Sequence, residues 1–245
     1  MFDILSTVEA TVTAAIVVAL LAYATARTSR ARLLVVGALA IWFVLVLMLG
    51  ATRFLDAELG YGVPALGLAV ALPVAALVVA FSAVPSMRDA LMATPLPALV
   101  AVNVTRIIGV SFVVLYAEGK LPGPFAPSAG WGDIFVGATA LPVAWALARW
   151  GSRVRALALA WNVIGFADLS AAILLGALSS PGPFQVFYGP PSSSLMTTLP
   201  WIIIPCFLVP LFLFIHVVVF ARLLSGAKAS PRAQGGLEGH MTRPA

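Results

Sequence analysis

The chain has 245 residues, 62% of them hydrophobic and 9% charged, whereas a soluble domain carries about 25% charged residues. Fourteen Lys and Arg against nine Asp and Glu give a formal net charge of +5, but the basic residues sit in short turns between apolar stretches, which argues against a nucleic-acid-binding face. The single cysteine, Cys206, excludes disulfides and Cys-based metal sites.

A hydrocarbon core about 30 Å thick needs roughly 20 apolar residues per helix. Seven stretches meet that length: 8–26, 33–52, 62–84, 96–117, 131–148, 154–178 and 198–221. Runs such as 14–21 and 202–219 are apolar on every face, unlike the alternating strands of a membrane β-barrel. The expected fold is all-α: a polytopic membrane bundle of seven transmembrane helices over residues 1–225, with a disordered cytoplasmic tail at 226–245 that includes His240.

The opening MFDILSTVEA lacks the basic n-region of a cleavable signal, so the first span is expected to be retained. It ends in a basic turn, Arg27, Arg30 and Arg32. Arg88, Arg149, Arg153, Arg155, Arg222, Lys228, Arg232 and Arg243 fall on the same side. Only Arg53 and Lys120 lie opposite, together with Asp3, Glu9, Asp56, Glu58 and Glu118. Lys/Arg bias in short loops marks the cytoplasmic face. The N-terminus is therefore expected outside and the C-terminus in the cytoplasm, across the inner (plasma) membrane.

The turn at 148–155 repeats the pattern of that at 26–32 with one residue inserted, and spans three and seven share proline pairs, Pro64 with Pro73 and Pro200 with Pro210. A parallel three-plus-one-plus-three repeat, a plan used by membrane carriers, would produce this. So would the basic bias of cytoplasmic turns alone.

An ionisable group within a span costs about 2.5–3.5 kcal/mol on insertion scales and marks function by default. Span four carries Asn103 and Arg106, three residues apart and so on one face. Span five opens with Asp133, span six carries Asn162, Gly165 and Asp168, and span seven carries His216. At a rise of about 1.5 Å per residue, Arg106 lies near the midplane and both aspartates lie within the outer third. Helical side chains lean toward the helix N-terminus, which tilts both Arg106 and Asp168 inward and Asp133, on an oppositely running helix, outward. Arg106 is expected to pair with Asp168, with Asp133 close by. The asparagines read as interhelical hydrogen-bonding groups. Pro73, Pro142, Pro205 and Pro210 each remove a helix hydrogen bond, freeing the carbonyls of Ala69, Ala138, Trp201 and Cys206. Two outer loops share a string, Pro122-Gly123-Pro124-Phe125 and Pro181-Gly182-Pro183-Phe184. Each is a stiff bend presenting a ring, either to an aromatic belt with Trp131, Phe187 and Tyr188 or as a lid over an outward cavity.

Gly130-Trp131-Gly132-Asp133 resembles the GxGD motif of intramembrane aspartyl proteases over four residues. The resemblance implies a dyad of Asp133 with Asp168, although the presenilin-like members carry their other aspartate earlier in the chain. A retinal protein would need a buried lysine, and Lys120 and Lys228 both lie outside the spans. Two-histidine haem ligation is excluded by a single intramembrane histidine. The expected function is a carrier or channel for a small solute or ion, binding at Arg106, Asp168, Asp133, Asn103, Asn162 and His216, without a cofactor. A non-catalytic partner or sensor subunit and an intramembrane hydrolase are the alternatives. The expected surroundings are the lipid bilayer, with a homo-oligomer or partner subunit left open.

Overall fold

The computed structural model describes residues 2–26, 28–56 and 60–228, and among these every regular element is helical. α1 (Phe2–Thr25) and α2 (Ser29–Ala51) are joined by a tight turn in which Thr28 Oγ1 accepts the Ala31 N–H at 3.2 Å, a side-chain cap on otherwise orphaned helix donors. α3 (Gly62–Ala83) passes through Pro73. α4 (Pro85–Ala93), absent from the seven expected spans, starts on Pro85, whose missing N–H is no loss in a first turn.

The fourth apolar stretch, Leu96–Ala117, is α5 (Leu96–Ala101), a 3₁₀ stretch (Val102–Gly109) and α6 (Val110–Ala117). α7 (Ala126–Trp150) begins five residues before the expected span, because Pro127 fits a first helical turn and Gly130 and Gly132 are held by packing. Gly151, at φ 54°, turns the chain where a side chain would be strained, and α8 (Arg155–Leu178) follows. The last stretch opens as a π-helix (Ile204–Leu208) and continues as α9 (Val209–Lys228).

Pro205 and Pro210 shape that start. Val209 N–H reaches back to Ile204 O, and the Trp201 carbonyl, expected to be free, accepts Ile204 N–H at 3.0 Å. The helix therefore starts later than residue 198 and runs on through 226–228. The tail at 229–245, with His240, lies outside the described residues, as do Arg27 and Glu58.

Among the described residues six stretches are long and apolar enough to cross a membrane, the fifth (Ala126–Leu178) holding both α7 and α8. Paired contacts give their directions. Ser111 Oγ donates to Glu9 and Thr94 Oγ1 to Ala24 O, so α1 and the 96–117 helix run antiparallel. Trp161 meets Thr139, and Gly132 abuts Asp168, so α7 and α8 form an antiparallel hairpin. Phe207 packs tilted against Trp42 and edge-on against Phe43 while Gly50 abuts Ile202, which sets α2 antiparallel to the last helix. Arg222, on α9, donates to the carbonyls of Leu91, Met92 and Thr94, satisfying the open end of α4 with a cation.

The last helix is central, with Phe207, Leu208, Ile215 and Val219 buried. α2 and α3 lie at the periphery, and an apolar cavity of about 800 Å³, walled by Leu34, Leu39, Leu77 and Phe214, separates them.

Candidate functional site

Arg106 is fully buried and sits in the 3₁₀ stretch. With three residues per turn, positions 103, 106 and 109 stack in one line, and all three are buried. The guanidinium gathers four partners from three other helices. Nε donates to Asp133 Oδ1 at 2.6 Å, and Nη2 donates to Asp168 Oδ2. Nη1 donates to the Gly165 carbonyl and lies against His216 Nε2, each at 3.2 Å.

The histidine tautomer follows from its neighbours. Asn162 Nδ2 donates to the His216 carbonyl at 3.1 Å, so its Oδ1 faces His216 Nδ1 at 2.7 Å and must accept. Nδ1 therefore carries the proton, and Nε2 is left to accept from Arg106. Asn162 is itself wholly buried. It acts as a positioning residue for the imidazole, and the imidazole in turn as an acceptor for the guanidinium.

Glycines make room for these contacts. A methyl on Gly165 would collide with the His216 ring, one on Gly132 with the Asp168 carboxylate, and one on Gly137 would lie 2.7 Å from the Ile107 amide nitrogen. Gly109 and Gly130 press on each other's backbone across the same seam. The Gly-Trp-Gly-Asp string thus works by packing: Gly130 and Gly132 let two neighbouring helices approach, and Trp131 faces outward.

A cavity of about 80 Å³ reaches Asp133 from the end of the molecule that holds the 118–125 and 179–203 segments. Its walls are apolar, including Phe112, Phe125, Leu169, Met196 and Pro205, with Asp133 and Ser193 the polar side chains on it. Phe125 packs edge-on against Phe112 at 5.6 Å. Only the first Pro-Gly-Pro-Phe string therefore turns its ring inward. Phe184 of the second is exposed, along with Trp131 and Tyr188, and Ser193 and Met196 supply the wall from that loop.

A family comparison matches residues 63–224 to a domain of unknown function, DUF8737. The chain belongs to the DUF8737 family. No curated protein and no solved structure matches it. The DUF8737 match spans α3 to α9, so it contains Arg106, Asp133, Asp168 and His216 and the 80 Å³ cavity, and leaves out α1 and α2.

Within this DUF8737 region the structure brings five of the six sequence-predicted residues into one network: Arg106, Asp133, Asp168, Asn162 and His216. Asn103 stands apart. Its Nδ2 donates back to Leu99 O and Val100 O within its own helix, and its Oδ1 has no partner, so it bridges no helices. Asp133, expected to tilt away, is held as directly as Asp168, because the 3₁₀ geometry and Gly109 bring α7 close to Arg106. Sequence reasoning missed the carbonyl of Gly165 and the ring of Phe112, since nothing in the sequence marks a backbone carbonyl as a ligand, whereas the Phe125 ring comes from the bend expected to present one. Among the described residues no three His, Cys, Asp or Glu gather as a metal-binding set.

Proposed function

We propose that this chain is a multi-pass protein of the inner (plasma) membrane that carries or conducts a small solute or ion through the Arg106 site. With α7 and α8 counted separately, the helical stretches number seven. Their alternating directions, together with the basic residues at one end, support an outside N-terminus and a cytoplasmic C-terminus under the Lys/Arg loop bias. For the three-plus-one-plus-three repeat, the support is the pair of arginine turns and the packing of both α1 and α7 on the 96–117 helix.

The observation that carries the transport reading is the cavity ending on Asp133. It gives a buried charged group, deep within apolar helices, access from one end of the bundle. Intramembrane ionisable groups that face a cavity are the common form of a substrate or ion pathway. The test is solid-supported-membrane electrophysiology on reconstituted protein, challenged with a panel of small ions and charged solutes. Wild type should give solute-evoked currents that Asp133→Asn abolishes. Identical traces from the two proteins across the panel would refute the reading.

A second reading, a non-catalytic partner or sensor subunit, is favoured by a different observation. Three of the four Arg106 partners come from α7 and α8 and the fourth from α9, so the network also clasps helices together, while the exposed apolar faces of α2 and α3 could receive another chain. A hydrolase using Asp133 and Asp168 would need the two carboxyls to share a proton and activate water. Both are engaged by Arg106, which gives this reading the least support.

A further inference from the structure

Building on the reading of the Arg106 site as a solute site, we propose that the 80 Å³ cavity binds a short aliphatic ammonium ion, its charged head on Asp133 and its alkyl tail between Phe112, Phe125 and Met196. Three observations converge on this. The first is formal charge. Two carboxylates meet one guanidinium, and His216, accepting through Nε2, adds no charge, so the cluster holds one negative charge in excess. A buried charge without a counter-charge is costly.

The second is direction. Asp133 Oδ1 is taken by Arg106, but Oδ2 receives no hydrogen bond from the described residues, and the side chain is 10% exposed on the cavity wall. The open acceptor and the room beside it occur together. The space exceeds the roughly 30 Å³ that one water occupies.

The third is the chemistry of the wall. A bare metal cation such as calcium takes six or more oxygen ligands, and magnesium near-octahedral coordination. Here Asp133 and Ser193 are the polar side chains, and Ser193 Oγ already donates to Gly176 O at 2.6 Å. Aromatic rings and a thioether suit an alkylammonium instead, whose carbons are drawn to the apolar wall while its charged head stays on Asp133. A carboxylate or phosphate ligand would face Asp133 with like charge. The cavity also runs between α3 and α8, which share its wall.

Binding is tested on the full chain purified in detergent, with n-butylammonium, n-butanol and n-butyrate as matched probes. Thermal unfolding and calorimetric titration give the readout. Butylammonium alone should raise the unfolding midpoint, since a ligand that binds only the folded state stabilises it by mass action. Asp133→Asn should weaken butylammonium by about tenfold or more, the worth of one charge-assisted hydrogen bond. Ala172→Phe, which fills the cavity and leaves Asp133 intact, should also remove the shift. Equal stabilisation by butanol would make the site a merely apolar hole and overturn the proposal. Retained binding in both variants would also overturn it, as would no response to any ammonium, the result expected if a proton supplies the missing charge. Binding with no Asp133-dependent current from any solute of the panel, ammonium included, would sink the transport reading and leave the site standing. Current evoked by other solutes, with no ammonium binding, would do the reverse.

Discussion

The last helix and α2 are nearly equal in length and apolar character, yet 78% of the most apolar window of the last helix is buried inside the protein and only 11% of that of α2. In water such a difference would be read from hydropathy. In a bilayer both lipid and protein interior are apolar, so hydropathy marks which segments cross and says little about which is central. What separates the two helices is polar content at the contacts. The last helix brings His216 to Arg106 and Arg222 to the carbonyls that close α4. In α2, Gly37 has nothing within 4 Å of where a side chain would begin.

The largest expected effect tests whether the centre is held by charge. Arg106→Gln strands two carboxylates among apolar helices and should cost about 3–5 kcal/mol or prevent folding. Asp133→Asn or Asp168→Asn alone removes the excess charge and keeps an amide oxygen for the guanidinium. Each should stay within about 1 kcal/mol of wild type, inside the usual range for single changes. Unfolding followed by circular dichroism in detergent measures all three. A loss for Asp168→Asn as large as that for Arg106→Gln, with Asp133→Asn unchanged, would mean a one-to-one pair with Asp133 a bystander.

That asymmetry shows where the sequence stops being readable. The cost of an arginine in a span announced Arg106, helical rise brought Asp168 and Asp133 within its reach, and His216 stood out as the ionisable residue of the last span. The two-to-one stoichiometry was hidden, because it depends on a 3₁₀ stretch and on Gly109 and Gly130 drawing two backbones together. Asn103 has the same residue type as Asn162 and looked equivalent to it. Its neighbours left its amide bonded within its own helix. The apolar lengths gave the helices themselves, whereas the late start at Ile204 and the short α4 rest on local proline chemistry.

A middle-sized effect contrasts glycines across the two regions. Gly137→Ala would push a methyl against the Ile107 backbone and should cost about 1–3 kcal/mol, as overpacking does. Gly37→Ala meets open space and should be neutral or stabilising by up to about 1 kcal/mol, since alanine restrains the helix better. Matched unfolding curves check the pair. Similar losses at both sites would mean that α2 is packed by a partner.

The smallest effect lies in the α7–α8 hairpin. Trp161 Nε1 donates to Thr139 Oγ1 at 2.9 Å, and Trp161→Phe should lose about 0.6 kcal/mol, the mean for such interhelical bonds. A loss several times larger in the same assay would show that the indole also supports the neighbouring His216 ring, 5.7 Å away.

The spacing of the Arg106 partners along the chain sets a timetable for synthesis. Asp133 follows Arg106 by 27 residues, Asp168 by 62 and His216 by 110. At about 5–20 residues per second, the guanidinium waits roughly 6–22 s for its last acceptor. On the proposed membrane-spanning reading, the 96–117 helix carries an incompletely neutralised cation during that interval, and the machinery that inserts it would have to shelter it until α8 and the last helix emerge. A nascent chain stalled before residue 168 should therefore remain bound to that machinery, and one stalled beyond the last helix should be released into lipid.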